Sequence, residues 1–182
     1  QLLKDINNGS SSTGFGEKVV SNESFAFFNA QTSFDGYSLF VTDGSTDGTQ
    51  LLKDVAGLDA LDDSFIIDEM DGFVYFVASD ADGRFIWKSD GTAIGTGKVF
   101  DFEIVSDESI YEKSIGRTDS HFYFMQYWND ACNVWASDGT SQGTNLVLST
   151  PGGLNTVSYS PVCDLDGKYL FRGFDLMAES TL

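Results

Sequence analysis

The sequence is poor in proline, cysteine, histidine and basic residues, and each shortage narrows what the chain can be. Two prolines in 182 residues leave the chain free to form regular structure rather than proline-rich linkers. Two cysteines, Cys132 and Cys163, are too few for a structural zinc site. The one histidine, His121, has no evident serine or cysteine partner in the sequence and reads as a half-exposed strand residue. Ten basic residues stand against 28 acidic ones, for a net charge of −18. That argues against nucleic acid and anionic membrane as partners, because phosphate binding needs clustered Lys and Arg. No apolar run approaches the roughly 18 residues of a spanning helix. The chain opens at Gln1 with no initiator methionine and no signal-like segment, which leads us to expect a processed or excised product.

What is present is apolar and turn-rich. Hydrophobic residues make up 41% of the chain, with 16 Phe and 19 Gly. That is enough to bury one sizeable core, with regular elements interrupted by many tight turns. The acidic balance suits a soluble secreted protein in salty or calcium-containing water.

One short corner recurs. "TDGSTDGT" begins at Thr42, "SDGTAIGT" at Ser89 and "SDGTSQGT" at Ser137, with Asp43, Asp90 and Asp138 spaced by 47 and 48. A short strand-like run follows each: "QLLKDV", "GKVFDF" and "NLVLST". Another precedes each, ending at Phe40, Trp87 and Trp135. Upstream lies an aromatic strand, "FAFF", "FVYF", "HFYF" and finally "KYLF", each after a small apolar patch and a turn. Four short strands at a period near 48, with no helical periodicity, predict an all-β protein built of β-propeller blades. Residues 1–5, "QLLKD", repeat residues 50–54 letter for letter, and so read as a fourth strand whose first three are missing. We therefore expect one domain, 1–182, a four-bladed propeller of four repeats. In it, residues 1–6 complete the last blade with 158–182. A fragment of a longer ring, or half of an eight-bladed dimer, is the rival reading.

The corners and their flanks, "LFVTDGSTDGTQLLKDV", "IWKSDGTAIGTGKVFDF" and "VWASDGTSQGTNLVLST", resemble the bacterial repeat written ELWxxDGT. The family's Glu is replaced here by Ser38, Phe85, Asn133 and Ser180, and its Trp by Phe40 and Leu182. The resemblance implies an extracellular module of secreted or surface-attached proteins, and it carries over no catalytic residue.

Asp and Ser or Thr side chains can bond backbone N–H groups a few residues on, while Gly supplies positive φ. We read the corner as a structural turn on that ground. As a site, it would hold calcium through Asp43, Asp47, Asp90 and Asp138 with nearby carbonyls. Calcium, however, takes six to eight oxygens, and only the first corner has a second carboxylate. Recognition is expected on the opposite face, where the segments differ between blades. There Tyr127 and Trp128 could stack on a sugar ring beside Asn129 and Asp130. The acidic residues Asp59, Asp62, Asp63, Asp80, Asp82, Asp107 and Glu108 read as solvated loops, with a cation site as the other reading. Arg84, Arg117 and Arg172 fall at different blade positions, which argues against a carboxylate clamp. Cys132 and Cys163 are expected to form a disulfide between neighbouring blades, two buried thiols being the alternative. The function expected is non-enzymatic recognition or adhesion at the cell surface, with carbohydrate, another surface polymer or a protein surface as ligand. Alternatives are a carboxylate-dependent glycosidase or lyase, or a spacer in a larger parent protein.

Overall fold

A computed structural model describes residues 4–6, 15–33, 36–52, 62–80, 82–102, 111–128, 131–151, 157–165 and 168–175. Every regular element among them is a strand, as the aromatic and β-branched runs predict. The first sheet is β1 (Phe15–Ser21), β2 (Ala26–Ser33), β3 (Gly36–Thr42) and β4 (Gln50–Leu51). The second is β5 (Asp62–Met70), β6 (Phe73–Asp80), β7 (Gly83–Ser89) and β8 (Gly97–Asp101). The third is β9 (Tyr111–Arg117), β10 (Phe122–Trp128), β11 (Ala131–Ser137) and β12 (Asn145–Pro151). A last hairpin pairs β13 (Val157–Leu165) with β14 (Lys168–Asp175). Each four-stranded sheet is an antiparallel meander in sequence order. The chain divides into two units, residues 1–106 and 107–182.

The repeats superpose in register as well as in sequence. Phe28 pairs across the ladder with Phe40, Phe76 with Trp87, and Phe124 with Trp135. In each case the rings lie nearly parallel, with centroids 5.6, 6.3 and 6.4 Å apart. Because successive strand residues alternate between faces, Phe27, Leu39 and Val41 occupy the other face of the first sheet. They gather with Val20, Leu52, Phe76, Ala78, Phe85 and Trp87 in one core cluster shared by the first two sheets. Burial of a ring such as Phe27 or Phe76, both fully enclosed, stabilises by about 1.5–3 kcal/mol.

A turn locks these two sheets at one end. Asn22 Oδ1 accepts the N–H groups of Ser24 and Phe25 at 3.0 and 2.8 Å. Its Nδ2 then donates to the carbonyls of Gly72 and Asp90 in the second sheet at 2.9 and 3.1 Å. The turn between β5 and β6 has φ of 53° at Asp71 and 83° at Gly72, the two-residue geometry that matches strand twist. Elsewhere along these sheets, Lys18 Nζ on β1 bonds the Ile67 carbonyl and lies 3.4 Å from Asp68 on β5.

Of the expected closing strand, residues 4–6 are described and lie outside any strand. Lys4 Nζ instead donates to the Thr49 carbonyl of the first corner at 2.5 Å. Residues 1–3 and 176–182 are outside the described set, and the last sheet shows two strands, β13 and β14.

Candidate functional site

Each corner is closed by its own side chains, with the same bonds three times. In the second copy, Asp90 Oδ1 accepts the Thr92 N–H and the Thr92 hydroxyl, both at 2.8 Å. Thr92 Oγ1 in turn accepts the Gly95 N–H at 3.0 Å, and Thr96 Oγ1 donates to the Thr92 carbonyl at 2.6 Å. Ser89 and Thr96 hydroxyls meet at 2.6 Å across the base, and Ser89 Oγ accepts the Gly91 N–H at 3.0 Å. Asp138, Thr140, Ser137, Gly143 and Thr144 reproduce every one of these contacts. In the first copy Ser45 takes the role of Thr92 and Thr42 that of Ser89, around Asp43, Gly48 and Thr49.

The two glycines of a corner serve separate ends. Gly44, Gly91 and Gly139 have φ of 87°, 99° and 85°, a region costly for a residue with a Cβ. Gly48, Gly95 and Gly143 are needed for room instead. A Cβ there would stand 2.0 Å, 2.1 Å and 2.0 Å from the nearest carboxylate atoms of Asp43, Asp90 and Asp138. The carboxylate therefore lies flat on a glycine.

These bonds engage the oxygens a metal would use. The Ser45 hydroxyl, then its N–H, holds the Asp43 carboxyl below the usual carboxylate range. The Thr140 hydroxyl and N–H do the same for Asp138, with a smaller contribution from the charge of His121. Asp43 and Asp47 share one corner, while Asp90 and Asp138 stand in two others. No group of three Asp, Glu, His or Cys side chains suited to a metal gathers among the described residues.

At the opposite end of the sheets, the segments that join the second strand to the third are largely strand, while most of those that follow the fourth strand lie outside the described residues. Tyr127 and Trp128 are the last two residues of β10, in register with Cys132 and Ala131 of β11. Only Asn129 and Asp130, outside the described residues, connect them. The first sheet behaves alike, with β2 running to Ser33 and β3 starting at Gly36. In the second, Asp80 pairs with Gly83 at the end of the ladder. Main-chain pairing carries each ladder on to a last pair, Ser33–Gly36, Asp80–Gly83 and Trp128–Ala131, whatever the side chains there. Of the acidic residues, Asp62 and Asp80 fall within β5 and β6 and Asp63 beside Asp62. Asp59, Asp107 and Glu108 lie outside the described residues. Asp82 is bound to Lys98 Nζ at 2.8 Å, and the lysine holds its carboxyl below the ordinary range.

His121 sits on the turn before β10, where its Nδ1 and the Ser120 hydroxyl are 2.9 Å apart. Thr118 Oγ1 closes that turn by accepting the His121 N–H at 3.1 Å. Arg84, Arg117 and Arg172 lie on β7, β9 and β14, in three different sheets. Cys132 is fully buried on β11, while Cys163 pairs in register with Leu170 and its side chain lies outside the described set.

Sequence reading missed Gln126. It occupies the strand position of Ala78, two residues on from the aromatic pair, yet is 1% exposed. Its Oε1 accepts the Trp135 indole N–H at 3.2 Å, which fixes the amide orientation. Its Nε2 is buried and has no hydrogen-bond partner among the described residues. In the second sheet the indole of Trp87 donates to the Ala78 carbonyl at 3.3 Å instead. The signal was available in the repeat alignment, where a glutamine replaces an alanine. Compared with known proteins, the chain matches no family model and no curated protein.

Proposed function

We propose that the chain is a four-bladed β-propeller, of the kind built from ELWxxDGT-like repeats, acting as an extracellular, non-catalytic recognition module. Support for the ring comes from a step that occurs once in each unit. First strands of successive sheets adjoin, β1 with β5 in one unit and β9 with β13 in the other, as blades do around a propeller axis. Small-angle scattering tests it. A closed ring of this length has a radius of gyration of about 16 Å, and a clearly larger value overturns it.

One observation carries the functional reading. All three corners engage their Asp and their Ser or Thr side chains in the same internal bonds, so chemistry that varies between blades belongs at the other end. There β10 ends on Tyr127 and Trp128, followed in the sequence by Asn129 and Asp130, a run unlike its counterparts in the first two sheets. Aromatic faces beside amide and carboxylate groups suit carbohydrate or a similar surface polymer. A glycan array, run with calcium and again with chelator, tests this on the whole chain. Binding to a related set of glycans, lost in Tyr127→Ala or Trp128→Ala, is the expected result. Loss with chelator would assign a cation to the acidic segments. Silence from folded protein overturns the sugar reading and leaves a spacer in a larger surface protein.

A further inference from the structure

The outer strands β8 and β12 are equivalent in the repeat, and their surfaces differ. In β8 the edge is guarded. Lys98 Nζ lies 3.8 Å from the Phe85 ring centre and 5.5 Å from that of Trp87, and pairs with Asp82. Asp101 adds a second charge at the end of the strand. Charged residues on an edge strand discourage another strand from adding to it. In β12 the corresponding positions are Leu146, opposite Trp135, and Ser149, opposite Asn133. Leu146 is 48% exposed and Val147 54%, with Leu148 exposed beside them. Asn145–Pro151 contains no charged residue at all. β12 is also the last strand of its sheet, so its outer row of backbone groups has no strand partner among the described residues.

We infer that β12 is the edge through which two copies of this chain associate, by antiparallel addition of one β12 to another. The choice of a second copy follows from charge. A basic or acidic strand laid on β12 would meet no countercharge along Asn145–Pro151, and an unpaired charge pressed into an apolar contact is costly. A second β12 brings only uncharged residues. The remainder of each chain carries the charge of −18, so association has to overcome mutual repulsion and strengthens as salt screens it.

Sedimentation velocity of the full chain over a concentration series, at low and at high sodium chloride, tests the inference. The expected result is a monomer–dimer equilibrium that shifts toward dimer with salt. Leu146→Lys, which restores the residue type of the guarded edge, should weaken it at least about tenfold. Val147→Lys should do the same from a bulged, exposed position where folding is little affected, and circular dichroism confirms the fold of both. A chain that stays monomeric at every concentration and salt overturns the inference. So does a dimer that both folded variants leave intact, because its interface would then lie elsewhere.

Discussion

At Gly91 the backbone φ is +99°, and a Cβ would also press on the Phe25 ring, 2.4 Å away. At Gly95 the nearest obstacle to a Cβ is the Asp90 carboxylate. Gly95→Ala should therefore force the carboxylate off both Thr92 bonds and cost about 1–3 kcal/mol. Gly97→Ala, with nothing within 4 Å, should stay within about 0.5 kcal/mol of the parent. Urea unfolding of the two variants checks both. The corner aspartates also set an acid limit. Asp43 and Asp138 have folded pKa values below the ordinary 3.8. Their contribution is thus present above that value and lost as pH falls through the folded value. Melting temperature should drop below about pH 4, and more shallowly in Asp43→Asn or Asp138→Asn. Gln126 makes the opposite case. Gln126→Met removes a buried donor that has no partner among the described residues, together with the acceptor for Trp135. The net change should be small, under about 1 kcal/mol, because the desolvation cost of the orphan amide disappears with it.

Among elements, the Asn22 turn is the clearest joint. Asn22→Ala removes one donor shared by the carbonyls of Gly72 and Asp90 and the acceptor for two turn N–H groups. It should destabilise by about 1–3 kcal/mol. Asn22→Asp keeps the acceptor and loses the donor, so its urea midpoint separates docking from turn formation. The strands themselves were legible in the sequence because phenylalanine pairs and Asp-Gly turns recur at fixed spacing. Phe76 opposite Trp87 and Phe124 opposite Trp135 lie where the repeat puts them. What sequence misjudged was the far end of the hairpins. Asn, Asp, Ser and Gly clusters look like long loops, but a ladder can continue through them to a two-residue turn, as Asp80 and Gly83 show. Tyr127 and Trp128 became strand residues for that reason. The second glycine of each corner serves space rather than positive φ. Spacing cannot reveal that, because it depends on where a carboxylate comes to rest.

For the molecule as a whole, charge is the dominant long-range term. With 28 acidic and 10 basic residues, the folded chain repels itself, and screening should relieve it. Its melting temperature should rise with sodium chloride through the physiological range, most steeply at low ionic strength. A flat response would overturn self-repulsion as a term in the stability of the fold. The self-contained corners carry a separate consequence, for the order in which the chain folds. No bond in any of them spans more than seven residues, so each can close with little loop entropy before distant strands have met. The hairpins β3–β4, β7–β8 and β11–β12 can then form one by one as the chain leaves the ribosome. Each would then add to inner strands that emerged before it, and pulsed hydrogen exchange during refolding should find the corner amides protected first.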